Sequence, residues 1–329
     1  MRAQLLKGES EPFTWISNEQ MAAQTVDIYT RVLRGGFAIL AACSSCGNDG
    51  PSVPSTPSEP DKPNVQIPIN IGTTISRATE TAFENGDQMG LFVVNRNADG
   101  SAVPLKPSGN YVDNMLYTYV TSWNPASALY WKDAETHADF YMYYPYTSTI
   151  TSVDAMPFKV NADQSSEAAF KTSDLIVGST LDVVPTASPV NIIAKHIMSQ
   201  VAIVLKAGAG FTESSLAASN PSVRINNLVT SSTVNLSTSE VTMNGTASNV
   251  IPYKDGNVYR AIVVPQTVTG TKLITVTIDG YEYKLSQNIT FVSGKRHTIN
   301  VTVKKISNGV NVTIGEWKDD DVDYGGIAS

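Results

Sequence analysis

Ile274-Thr275-Val276-Thr277-Ile278-Asp279-Gly280-Tyr281-Glu282-Tyr283-Lys284-Leu285 is the stretch that decides the fold class. Two runs alternate apolar and polar residues with period two, and Asp-Gly stands between them. Both central residues of a two-residue hairpin turn need positive φ, which glycine and Asp or Asn tolerate best, so this is a strong short-range hairpin signal. The same alternation recurs at Val201, Ile203 and Leu205, at Ile299, Val301 and Val303, and at Val310, Val312 and Ile314. Many short strands separated by turn residues predict β-sandwiches in series. Helical periodicity is nearly absent; Ser165–Phe170 and Ser214–Ala218 each have room for about one turn.

Towards the N-terminus the pattern holds with more aromatic residues. Phe83-Glu84-Asn85-Gly86-Asp87 reads as a turn into a buried strand, Met89–Val94, with another turn at Asn97–Gly100. Tyr117–Val120 and Phe140-Tyr141-Met142-Tyr143-Tyr144-Pro145-Tyr146 are further strands. Asp174–Val177 precedes a Pro- and Ser-rich loop (Pro185, Pro189) that marks a domain boundary. The expected organisation is a leader over 1–42, a modified cysteine and tether over 43–64, and two β-sandwich domains over 65–189 and 190–329. The earliest strand, Val65-Gln66-Ile67-Pro68-Ile69-Asn70-Ile71, puts Val65, Ile67, Ile69 and Ile71 on one face. Pro68 has no N–H to give a ladder, which confines this strand to a sheet edge. Gly72 to Glu80 reads as a polar stretch, and Arg77 is its one basic residue.

Upstream, Leu40-Ala41-Ala42-Cys43 closes an apolar run behind Arg31 and Arg34, and residues 51–63 read PSVPSTPSEPDKP. A small-residue site after an apolar stretch marks secretory processing. Proline at every third position extends as polyproline II, a spacer of about 40 Å. The pattern around Cys43 resembles the lipobox of bacterial lipoproteins, in which the cysteine is acylated. The apolar run Phe37–Ala42 is short, Gly35-Gly36 interrupts what precedes it, and residues 1–30 look like neither signal nor domain, as expected if the start is assigned too far upstream. Cys43-Ser44-Ser45-Cys46 also reads as a CxxC redox or metal pair. That use needs a fold to position it and, for zinc, a second ligand pair, and the chain has only two cysteines. Lipidation is the better reading.

Composition narrows the function. Past residue 42 about 285 residues remain, enough for two domains with real cores. No run of about eighteen apolar residues occurs, so contact with a membrane is expected only through the lipid. Net charge is −7 and no basic patch stands out, which argues against a nucleic-acid partner. Val, Thr, Ser, Asn and Ile dominate while charged residues make up 16%, the vocabulary of strands and turns.

Catalysis has little to work with. His137, His196 and His297 lie in no metal-spaced or nucleophile motif, and His196 reads as a satisfied, half-buried packing residue entering a strand. Asp319-Asp320-Asp321 with Asp323 lacks the spacing and glycine of a calcium loop and reads as a solvated tail. No metal, cofactor or catalytic residue is expected. Tyr141, Tyr143, Tyr144 and Tyr146 with Trp123 and Trp131 read either as a carbohydrate platform or, as is commoner in a sandwich, as core with one wet edge.

Taken in order, the segments resemble the fimbrillin family of Bacteroidetes surface pilins, the subunits of type V pili. The matching pieces are the lipobox at Cys43, Arg77-Ala78, Phe83–Phe92, and Tyr130-Trp131 leading to Asp139–Tyr146. They continue with Lys195–Val201, Val264-Pro265-Gln266, Phe291–Arg296 and Ile314-Gly315-Glu316-Trp317. The resemblance implies two transthyretin-like β-sandwich domains in an all-β chain. It implies export as an outer-membrane lipoprotein, a cut after Arg77 by an extracellular arginine- or trypsin-like protease, and loss of the strand carrying Val65, Ile67, Ile69 and Ile71. A strand from a neighbouring pilin then fills the vacated groove; candidates are Ile299–Val303 and the strand carrying Val310, Val312 and Ile314, or the tail beyond them. A host or bacterial surface ligand would follow from an adhesive role. The alternative is a non-polymerising surface lipoprotein that binds glycans through Trp131 and Tyr141–Tyr146.

Overall fold

Residues Met89 to Val94 form an unbroken apolar run, and a strand of that composition needs cover on both of its faces. The computed structural model, which describes residues 66–75, 82–306 and 309–314, supplies it. In chain order the elements are β1 (Ile71–Ile75), β2 (Gln88–Asn95), β3 (Val112–Tyr119), β4 (Trp123–Pro125), β5 (Ala138–Tyr144), β6 (Met156–Lys159), α1 (Glu167–Thr172), β7 (Ile176–Val183) and β8 (Val190–His196). They continue with β9 (Ser199–Ala207), α2 (Glu213–Ala218), β10 (Ser222–Val234), β11 (Val241–Val250), β12 (Tyr253–Asp255) and β13 (Val258–Val263). The last are β14 (Gln266–Ile278), β15 (Tyr281–Phe291), β16 (Arg296–Ile306) and β17 (Gly309–Ile314). The protein is all-β, and the two short helices fall where the sequence left room for them. Their N-caps are Ser166 and Thr212, whose hydroxyls accept backbone N–H bonds of the first turn.

A seven-stranded sheet has the order β1-β8-β7-β5-β2-β3-β4. Met89, Leu91 and Val93 point to one side, into a cluster with Phe140, Met142, Ile192, Trp123 and Trp131. Phe92 and Val94 point to the other, with Tyr141, Tyr143, Phe170 and Leu175. The outer core also takes in Val234, Ile262 and Val264 from β10 and the β13 region. Strand β8 pairs with β1 and β7, so this sheet continues beyond residue 189.

The remaining strands form two further sheets, β11-β10-β14-β15 with β6 on β10, and β12-β13-β9-β16-β17. Val201, Ile203, Ala261, Ile299 and Val301 of one face Val223, Ile225, Ile274, Val276 and Leu285 of the other across a shared core. This is a sandwich, and its inward residues are the alternating ones. The Asp279-Gly280 turn is as expected: φ is 50° and 81°, and Ile278 stands opposite Tyr281. Strand β17 is an edge, antiparallel to β16, with Ile314 opposite Val301 and Gly309 opposite Ile306.

Candidate functional site

The first described strand differs from its sequence reading in extent. Its alternation does not stop at Ile71. Regular pairing begins there and runs to Ile75, so residues 72–75, read as part of a polar stretch, belong to β1. Thr73 and Ile75 keep the parity of Ile67, Ile69 and Ile71. Ile69 is 3% and Ile71 6% exposed, while Ile67 and Ile75 are half-buried against the same cluster.

This segment has neighbours on both sides. From Ile71 to Ile75 it runs parallel to β8, Ile71 opposite Val190 and Ile75 opposite Ala194. Just before that, it pairs antiparallel with residues 129–131. Ile69 N–H donates to Leu129 O at 2.8 Å, Trp131 N–H donates to Ile67 O at 2.9 Å, and Pro68 sits opposite Tyr130. Pro68 is tolerated because neither bond asks for its missing N–H. The indole Nε1–H of Trp123, on the strand at the other end of the sheet order, donates to Thr73 Oγ1 at 2.9 Å. Asn70 reaches the β7–β8 loop, its Nδ2 donating to Ala187 O at 3.4 Å. The segment is therefore an inserted stave between β8 and the chain that follows β4. Burying Ile69 and Ile71 is worth about 1.5–3 kcal/mol each.

Of the other residues singled out from the sequence, Val65, Cys43, Arg77 and Ala78 lie outside the described residues, as does the acid cluster at 319–323. Arg77 follows the last residue of β1 by two positions. For Val310, Val312 and Ile314 the structure gives the strand and its pairing with β16.

The carbohydrate platform is overturned. Trp123, Trp131, Tyr141 and Tyr143 are at most 8% exposed. Trp131 Nε1–H donates to Thr186 O at 3.0 Å, and Tyr143 OH donates to Asn114 Oδ1 at 2.6 Å, as buried polar tips require. Tyr144 and Tyr146 are half-buried, the wet edge of that core.

The histidines serve structure. His137 Nδ1 is 2.8 Å from Asp182 Oδ1, and His196 Nδ1 is 2.6 Å from Asp174 Oδ2. His196 closes β8 and precedes β9. Among the described residues, no three His, Cys, Asp or Glu side chains converge as metal ligands. His297 packs edge-on against Phe291 and accepts the Val292 N–H at Nε2, 3.1 Å away. Burial lowers its pKa below the ordinary 6.5. The folded state therefore binds this proton less readily than the unfolded chain, so stability is full above about pH 6.5 and falls as the pH drops below it. The urea midpoint is expected to fall between pH 7 and pH 5.5, and His297→Gln is expected to flatten that dependence.

Sequence reasoning missed a cleft at the end of β1. Ile75, Phe83, Glu84, Asp87, Asp174 and His196 are among the residues lining a space of about 380 Å³. Lys171 Nζ lies 2.9 Å from both Glu84 and Glu167, which raises its pKa. Tyr144 OH donates to Asp87 at 3.1 Å; burial, and then Asp87, raise the phenol's pKa.

An all-β protein whose first described strand is seated at the end of a sheet, between β8 and residues 129–131, is the class these observations define. The fimbrillin-like family model matches residues 76–317, and the chain belongs to that family, one of pilus or surface-adhesion-type structural proteins. A crystal structure of a candidate cell-adhesion protein from Bacteroides uniformis matches with a TM-score of 0.59 at 22% identity, over 78% of this chain and 100% of that one. Another, from Bacteroides ovatus, gives 0.60 at 18% identity, over 78% and 100%. Both likenesses concern the fold. No curated protein matches the chain.

Proposed function

We propose that this chain is a structural subunit of a cell-surface pilus, with a role in adhesion, that reaches the outer membrane as a lipoprotein acylated on Cys43. It is activated by an extracellular arginine- or trypsin-like protease that cuts after Arg77, and it polymerises when the strand of another pilin replaces β1. The observation that carries this reading is the seat of residues 67–75. They fill a groove with apolar side chains and backbone bonds on both sides, and the bond proposed for cleavage follows two residues after the strand ends.

While β1 is covalently attached, its effective concentration at the groove excludes a competing strand. Once cut, it is a separate peptide whose departure exposes an apolar stripe and an unpaired edge, a template for strand addition. The donor is the strand carrying Val310, Val312 and Ile314, which lies at an edge, is paired in its sheet with β16 and packs against β15. The domain division at 189/190 is retained as part of this proposal, with β8 lent to the first sheet. A non-polymerising glycan-binding role loses its platform with the burial of Trp131 and Tyr141.

Purified precursor treated with trypsin tests the reading. One early cut between Arg77 and Ala78, followed by SDS-resistant ladders, is the expected outcome; a cut protein that stays monomeric would sink polymerisation.

A further inference from the structure

The far end of the groove asks more of its occupant than apolar side chains. Trp123 is 6% exposed, and its indole N–H is satisfied by Thr73 Oγ1. An occupant without an acceptor at that place leaves a buried donor unpaired. Two residues further on, Ile75 borders the cleft in which three carboxylates, Glu84, Asp87 and Asp174, share the space with one ammonium, Lys171, and with the imidazole of His196, 2.6 Å from Asp174. An aliphatic side chain makes no use of that excess of negative charge.

Resting on the strand-exchange reading above, we propose that the cut groove is filled by residues 310–318 of a second copy of this chain in one register. Val310 takes the place of Ile67, Val312 of Ile69 and Ile314 of Ile71, with Glu316 under the Trp123 indole and Lys318 in the acidic cleft.

The two segments match position by position. Ile67-Pro68-Ile69-Asn70-Ile71-Gly72-Thr73 has aliphatic residues first, third and fifth, glycine sixth and a hydrogen-bond acceptor seventh. Val310-Asn311-Val312-Thr313-Ile314-Gly315-Glu316 has the same. Neighbouring registers fail on physical grounds. A slip of one residue turns every aliphatic side chain outward. Moving the donor two places towards the start of the groove puts Glu316 on the site of Ile71, a charge in a site 6% exposed. Moving it two places the other way leaves Ile314 under the indole and drives Glu316 among the three carboxylates. Only the proposed register satisfies the indole and sets a cation in the cleft. Trp123 and Glu84 are then specificity-determining residues of the groove.

Full-length chains carrying Lys318→Glu, Glu84→Lys, or both test this, each cut after Arg77 and followed by the rate of SDS-resistant ladder formation. Each single charge reversal is expected to slow assembly on the order of tenfold, and the double variant to recover most of the rate. Glu84 is largely exposed, so its replacement leaves the fold intact. On the donor, Glu316→Ala is expected to slow assembly on the order of tenfold, while Glu316→Gln, which keeps an acceptor, stays near the parent rate. Ladders indifferent to Lys318→Glu, or single defects that add in the double variant, overturn the register while the strand-exchange reading stands. An unaltered chain that is cut after Arg77 and forms no ladders overturns both.

Discussion

A chain carrying Arg77→Ala is expected to remain monomeric under protease conditions that convert the parent completely into SDS-resistant ladders. The effect is large because it acts on covalent connection. Arg77 is the one basic residue between Lys62 and Arg96. A cut at Lys62 leaves residues 67–75 joined to the domain and still seated. Arg96 gives no substitute site: its side chain is 15% exposed and its Nε donates to Asp139 at 2.8 Å, at the end of a central strand. Removing Arg77 keeps β1 at the high effective concentration that shuts out a donor. Gel electrophoresis over a protease time course measures this. Ladders from the Arg77→Ala chain at the parent's rate would place the activating cut elsewhere.

The second large effect concerns how strongly β1 holds the precursor together. Ile69→Ala and Ile71→Ala each remove most of a buried side chain from a cluster that includes Leu91, Phe140, Trp131 and Val190. Such truncations destabilise by about 2–5 kcal/mol apiece, since the lost transfer energy is joined by the cavity left behind. Urea unfolding of the uncut variants is the measurement. Ile67→Ala, at a half-buried position, serves as the smaller comparison. Losses below about 1 kcal/mol at Ile69 and Ile71 would mean that the stave contributes little to the sheet, against the range expected of buried aliphatics.

The sequence was legible where side-chain chemistry and backbone geometry agree. Asp279-Gly280 announced its hairpin because both residues suit positive φ. Met89–Val94 announced a buried strand because both of its faces are apolar. The N-terminal strand was legible as far as Ile71. Beyond it, Gly72 and Thr74 face outward, and the inward Thr73 is kept in place by an indole N–H fifty residues away, which no local pattern records. Strand β11 was invisible for a related reason: eight consecutive exposed residues, Thr242 to Asn249, carry no inside-outside alternation. The aromatic run Phe140–Tyr146 left two readings open, and burial decides for the core. The cleft beside Ile75 was out of reach, because its carboxylates come from two segments distant in the chain, the Glu84–Asp87 turn and Asp174, brought together by the fold.

Cys43 and its proline tether suggest a permanent membrane anchor when read alone. With Arg77 downstream of β1, the lipid, the tether and the stave form one removable pro-segment in the proposed scheme. The central claim is that this segment leaves and a neighbour's strand takes its seat. Mass spectrometry of unfolded SDS-resistant ladders tests it most directly. The prediction is subunits that begin at Ala78, with the peptide ending at Arg77 absent from the polymer. Ladders that retain that peptide at one copy per subunit would contradict the account.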